Sequence, residues 1–176
     1  ACDNESLTEM MEFIGERVDA EQYCPNELVL GNFARVAGEL GNASVVAKAW
    51  DIHQLLGHRP TVIGQTIFAR AAGLTQNATV LEEAWRACEE AEKTIDVVAL
   101  STFARAAGLT GDLDLLRRVW EKRHTLQSSE VDSTFWGTVA GAAGDCESCE
   151  LLHDVWTEFK QRHEQLDPQG WTEFVT

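Results

Sequence analysis

The sequence predicts an all-α fold, a right-handed α-solenoid of helix-turn-helix repeats of about 35 residues each. Three observations lead there. Trp50, Trp85, Trp120 and Trp156 stand 35, 35 and 36 residues apart. Phe33-Ala34-Arg35-Val36-Ala37-Gly38 recurs as Phe68-Ala69-Arg70-Ala71-Ala72-Gly73 and as Phe103-Ala104-Arg105-Ala106-Ala107-Gly108, with a worn copy over Val139 to Gly144. Apolar residues between these markers keep helical spacing: Leu100, Phe103, Ala104 and Ala107 fall at i, i+3, i+4 and i+7.

The elements follow in order. Residues 1–24 form an N-terminal half-repeat, a lone second helix over Ser6 to Val18 with Met10, Met11, Phe13 and Ile14 on its apolar side. Four repeats occupy 25–60, 61–95, 96–131 and 132–167. Residues 168–176 open a further repeat, because Trp171-Thr172-Glu173-Phe174 echoes Trp136 to Val139. Within a repeat the first helix spans Val62 to Ala72 or Val97 to Ala107. Gly73 and Gly108 are expected to end it, since glycine tolerates positive φ. The second helix starts at Asn77 or Asp112, both good N-caps. In the third repeat Leu113, Leu116 and Trp120 form its inner stripe, with Arg117, Arg118, Glu121 and Lys122 largely outside. Trp120 is expected to pack between repeats. The alanines of the first helices let neighbouring helices approach closely, and such small helix pairs must stack to bury a core. Half-repeat ends imply further polypeptide or a covering partner.

Composition narrows the function. The formal charge is −15, from 29 acidic and 14 basic residues. Nucleic-acid binders gain affinity by neutralising phosphates, so this balance argues against RNA or DNA as the default ligand. No run approaches the ~18 apolar residues of a membrane span. The chain opens at Ala1 with neither Met nor a targeting pattern, so either a leader has been removed or residues are missing. Cys2, Cys24, Cys88, Cys146 and Cys149 are odd in number and scattered, which suits a reducing compartment rather than a disulfide framework.

The period and internal order resemble the pentatricopeptide repeat family over roughly residues 25–176. Val98 to Asp132 carries the likeness best. Its stretch Gly111-Asp112-Leu113-Asp114-Leu115-Leu116-Arg117-Arg118-Val119-Trp120 is similar to the family's Gly-x-Leu-x-x-Ala-x-x-x-Phe second helix, with Leu116 and Trp120 as the departures. Pro25-Asn26 and Pro60-Thr61 look like its closing Pro-Asp. The tetratricopeptide repeat, of period about 34, lacks a matching Trp/Tyr pattern here. The resemblance implies binding of single-stranded RNA in mitochondria or chloroplasts, one base per repeat. The base-reading pairs would be Gly31 with Thr61, Thr66 with Asp96, Ser101 with Asp132, and Gly137 with Asp167. Thr66/Asp96 and Ser101/Asp132 resemble purine-reading, guanine-favouring combinations, whereas Gly31 and Gly137 have no side chain to read with. Where the family often places a phosphate-binding Lys, this chain has Glu39, Leu74, Leu109 and Asp145.

Arg35, Arg70 and Arg105 lie one turn after Gly31, Thr66 and Ser101 and would line the concave face. Three roles fit such a row: tracking phosphates, internal pairing with residues such as Asp96 or Asp132, or bidentate capture of a partner's carboxylates.

Catalytic and metal motifs are missing at sequence level. Cys146-Glu147-Ser148-Cys149 is one CxxC, and no second pair has zinc spacing. No His-x-Glu precedes it, as a deaminase would need. Cys149 is expected to pack where Leu113 sits one repeat earlier. His53, His58, His124, His153 and His163 are scattered, and no nucleophile–base set can be argued. The expectation is a non-enzyme without cofactor or metal. It would be a scaffold docking on protein subunits of a larger organellar assembly such as a ribosome, respiratory complex or photosystem, soluble or peripherally bound. The alternatives are an RNA-binding protein and the substrate-positioning arm of an enzyme whose catalytic domain lies elsewhere.

Overall fold

The structure, a computed structural model, describes residues 3–57, 61–91, 95–126 and 131–161. All regular structure among them is helical: α1 (Asn4–Asp19), α2 (Glu27–Glu39), α3 (Ala43–Leu55), α4 (Val62–Leu74), α5 (Ala78–Glu90), α6 (Val97–Thr110), α7 (Leu113–Lys122), α8 (Ser133–Asp145) and α9 (Cys149–Gln161), with a 3-10 turn over Arg123–Thr125. The all-α class is therefore as expected. The chain divides into two compact units, residues 1–93 (α1–α5) and 94–176 (α6–α9). The expected repeat start at 168–176 and the linker Pro60 lie outside the described residues.

Every one of these nine α-helices begins on a polar side chain. Asp3, Asn26, Asn42, Thr61, Asn77, Asp96, Asp112 and Asp132 each accept the backbone N–H three residues on. Ser148 does the same for α9, accepting from Leu151 N at 3.3 Å. Such a cap contributes about 1 kcal/mol. The expected starts at Asn77 and Asp112 are correct.

The expected helix ends need correction. Gly73 and Gly108 lie inside α4 and α6 and are buried. The left-handed residue comes three positions later: Gly41, Gln76, Gly111 and Glu147, with φ of 71°, 53°, 69° and 55°. Each turn is closed by the next N–H bonding back five residues, as in Asn77 N to Ala72 O and Asp112 N to Ala107 O (2.8 and 2.9 Å). Glycine at 38 and 108 serves contact instead. A Cβ on Gly38 would stand 2.9 Å from Ala71 Cα, and one on Gly108 would stand 2.8 Å from Ala142 Cα. These sites are where α2 meets α4 in unit 1 and where α6 meets α8 in unit 2. The small-residue stripes thus do bring first helices close together.

In each unit one aromatic marker is wrapped by the helix pair that follows it. In unit 1 Trp50 is buried edge-on against Phe68, and its indole N–H donates to Glu83 at 2.5 Å. In unit 2 Trp120 stacks on Phe135 and meets Trp136 edge-on. Trp120 is packed between successive repeats, as expected. The third residue after a marker lies on its ring: His53 on Trp50, the Arg123 guanidinium over Trp120 at 3.5 Å, and Phe159 on Trp156.

Two stripes differ in detail from expectation. In α1 the buried residues are Leu7, Met11, Gly15 and Val18, while Met10 and Phe13 are exposed. In α7 they are Leu115, Leu116, Val119 and Trp120, with Leu113 only half-buried at the first turn. In both, i, i+4 spacing along the contact line decided the face, and neighbouring apolar residues were left outside it.

Candidate functional site

The first helices each turn one face outward. On α2 that face carries Leu28, Asn32, Arg35 and Glu39; on α4, Ile63, Arg70 and Leu74; on α6, Val98, Arg105 and Leu109. The face repeats a pattern of an apolar residue, then Arg one or two turns later, then a residue at the helix end. Its three arginines are all exposed.

Among the described residues none of the three pairs with a carboxylate of a neighbouring repeat. Arg35 pairs with Glu39 of its own helix at 3.1 Å, a pair exposed enough to be worth only a few tenths of a kcal/mol. Arg70 and Arg105 meet no carboxylate among the described residues. Asp96 and Asp132 are engaged as helix caps, accepting from Ala99 N (2.8 Å) and Phe135 N (2.9 Å). Although the chain has twice as many acids as bases, no described carboxylate reaches these two guanidinium groups.

The four base-reading candidates are likewise tied to their own helices. Thr66 donates its hydroxyl to Ile63 O and Ser101 to Val97 O, each at 2.8 Å. Asp96 and Asp132 are the two caps just named. Thr66 belongs to unit 1 and Asp96 to unit 2, while Ser101 and Asp132 share unit 2. Asp167 lies outside the described residues.

Between α6 and α8 a hollow of about 180 Å³ opens, lined by Arg105, Leu109, Gly137, Thr138, Gly141 and Asp145. It exists because α8 carries small residues where α4 carries large ones. Gly141 occupies the repeat position of Arg70, Thr138 that of Ile67, and Gly137 that of Thr66. A Cβ built on Gly141 meets nothing within 4 Å. At the equivalent place in unit 1, Ile67 lies over Gly31, whose added Cβ would stand 3.6 Å from Ile67 Cδ1. Sequence reading recorded Val139 to Gly144 as a worn copy. The glycine in the arginine column was the signal of an opening.

Unit 1 carries a different device. Glu27, at the start of α2, accepts both the N–H (3.1 Å) and the hydroxyl (2.8 Å) of Thr61, the cap of α4. Its carboxylate takes the space beside Gly64 that a Cβ would need. Buried His53 approaches the same carboxylate at 3.6 Å.

The cysteines offer no chemistry of this order. Cys24, Cys88, Cys146 and Cys149 are free thiols. Cys149 is exposed rather than packed, because α9 turns its first residue outward. Cys146 caps α8 and points its thiol at Ala107 O, 3.8 Å away. Burial first, then the charges of Asp145 and Asp112, push that thiol above its ordinary pKa. A raised thiol pKa suppresses nucleophilicity at neutral pH. Among the described residues no three His, Cys, Asp or Glu side chains gather as metal ligands. No described helix is long and apolar enough to cross a membrane.

The described residues form an all-α protein of repeated helix pairs in which α2, α4 and α6 each expose an arginine. No protein-family model matches the sequence, and no curated protein matches it significantly.

Proposed function

We propose that the chain is a non-catalytic helical-repeat scaffold, a right-handed α-solenoid that docks on protein partners as an accessory subunit of a larger assembly. The pentatricopeptide resemblance makes a mitochondrial or chloroplast assembly the first place to look. One observation carries the reading: on α4 Arg70 stands exposed with Ile63 and Leu74, on α6 Arg105 stands exposed with Val98 and Leu109, and neither arginine meets a carboxylate among the described residues. Apolar surface ringed with unpaired guanidinium groups suits a protein surface bearing carboxylates, because the planar fork binds them bidentately.

A single-stranded RNA is the competing ligand, favoured by the same arginines. Three features weigh against it. Net charge is −15. Glu39, Leu74, Leu109 and Asp145 stand where phosphate-side lysines would. The hydroxyls and carboxylates that would read bases are bonded to their own helices.

The test is sedimentation of the native protein from gently lysed organelles, with and without ribonuclease, followed by identification of co-migrating proteins. A scaffold stays in one large particle after ribonuclease. Release as a small free species assigns the tether to RNA and ends the scaffold reading. Arg70→Glu with Arg105→Glu is expected to weaken incorporation, and unchanged incorporation removes this face from the account.

A further inference from the structure

Resting on the scaffold reading, we propose that the hollow between α6 and α8 seats one turn of a partner protein's helix, Arg105 gripping a Glu or Asp side chain and Asp145 a Lys or Arg one turn away.

The argument begins with two unspent charges. Arg105 and Asp145 line the same hollow, one from α6 and one from α8. They do not pair with each other, and neither meets an opposite charge among the described residues. Two other arginines of the same unit do find a carboxylate: Arg117 takes Glu150 and Arg123 takes Glu158. A hollow that holds both signs apart is matched by a ligand that carries both signs.

One helical turn can carry both signs. Residues i and i+4 of a helix stand about 6 Å apart on one face, and Glu followed by Lys is a favourable helical pair. Such a turn offers a carboxylate and an ammonium together. A phosphate chain carries one sign only and would be repelled by Asp145.

The floor permits close approach. Gly141 leaves open space where a Cβ would stand. The hydroxyl of Thr138, unlike those of Thr66 and Thr102 on the other first helices, bonds no described residue and can meet a partner's polar group. Exposed Leu109 adds apolar contact at the rim. The hollow is thus charged at its sides, bare at its base and apolar at one edge.

The probe is a labelled, alanine-rich helical peptide of about 16 residues with one Leu, one Glu and a Lys four residues after it. Fluorescence anisotropy is read with the full chain. Saturable binding is expected that weakens about tenfold in Gly141→Arg, which restores the arginine of unit 1, and in Arg105→Glu. Circular dichroism confirms that both variants keep their helices; Gly141→Ser fills less of the hollow and is expected to fall between them and the parent. The double variant Arg105→Glu, Asp145→Arg is expected to prefer a peptide with Glu and Lys exchanged. No binding at millimolar peptide overturns the proposal. So does equal binding by the parent and Gly141→Arg, or Arg105-dependent binding of a guanine-rich RNA oligonucleotide that displaces the peptide. The two readings fail separately. A particle that survives ribonuclease and still incorporates Gly141→Arg keeps the scaffold and rejects the hollow. A particle released by ribonuclease rejects the scaffold itself.

Discussion

Units 1 and 2 pair their first helices through the same kind of contact yet present different grooves. In both, a glycine on one helix meets an alanine backbone on the next: Gly38 on Ala71, Gly108 on Ala142. Above that seam unit 1 places Ile67 and Arg70, pairs Arg35 with Glu39, and anchors Thr61 with Glu27. Unit 2 places Thr138 and Gly141 there, gives Arg105 no carboxylate among the described residues, and has Val97 where Glu27 would stand. The repeat therefore conserves its seam and varies its cover. Packing is set by the small residues inside, and binding character by a few side chains one turn outside them.

The largest effect expected from breaking the comparison lies under the outer helices of unit 2. Arg123 is buried on Trp120, bonded to Trp120 O at 2.5 Å and paired with Glu158. Its counterpart in unit 1 is His53, stacked on Trp50 and 3.6 Å from the Glu27 carboxylate. Arg123→Ala removes the buried guanidinium from Trp120 and Glu158 and is expected to cost about 3 kcal/mol. Calorimetry, with amide exchange resolved over α7 and α9, would register it; a loss confined to a few tenths would mean that the stack on Trp120 is incidental.

Next come the glycines, which should move stability in opposite directions. Gly108→Ala drives a methyl against the α8 backbone and is expected to lose about 1–3 kcal/mol. Gly141→Ala, on the open side of α8, is expected to gain about 0.5–1 kcal/mol by restricting the unfolded chain. Denaturant melts of the two variants give the sign directly. If both lose stability, the hollow is not open.

Glu27→Ala removes two hydrogen bonds to Thr61 and is expected to cost about 1 kcal/mol, in unit 1 alone. Exchange protection at the start of α4 should fall, while α6 and α8 keep theirs.

The smallest effect is a titration. Thr75 ends α4 by donating its hydroxyl to Ala71 O, and Cys146 stands in its place on α8 with a thiol. Since the folded state raises the thiol pKa, the stabilisation is fully present below the ordinary thiol value and fades as pH rises through the folded one. Alkylation of Cys146 should therefore accelerate only at a pH above that of a free thiol. Asp145→Asn should bring that pH down.

Much of this was legible in the sequence. The Trp and Phe-Ala-Arg markers gave the period, Asn77 and Asp112 gave helix starts, and Leu100, Phe103, Ala104 and Ala107 gave a buried face that is buried throughout. Gly73 and Gly108 were misread because glycine has two uses, left-handed turns and close contact, and sequence spacing favours neither. The true turn residues include Gln76 and Glu147, which hide a positive φ behind ordinary side chains. The arginine row was visible, but not which arginine would find a partner, because that depends on a carboxylate one turn along. Glu39 supplies it to Arg35, and Leu74 and Leu109 withhold it from Arg70 and Arg105. The hollow was hidden for the opposite reason: it is made by what α8 lacks.

The ties between successive repeats carry one more consequence, for the speed of folding. Glu27 reaches Thr61 across 34 residues, Trp50 reaches Glu83 across 33, and Arg123 reaches Glu158 across 35. Each closes a loop of one period. None of these ties reaches beyond the next repeat, so the loop-closure entropy each one costs is that of a single period rather than of the whole chain. Within each unit a helix pair finds the pair it packs on one period further along, so each unit can settle pair by pair as it emerges from a ribosome.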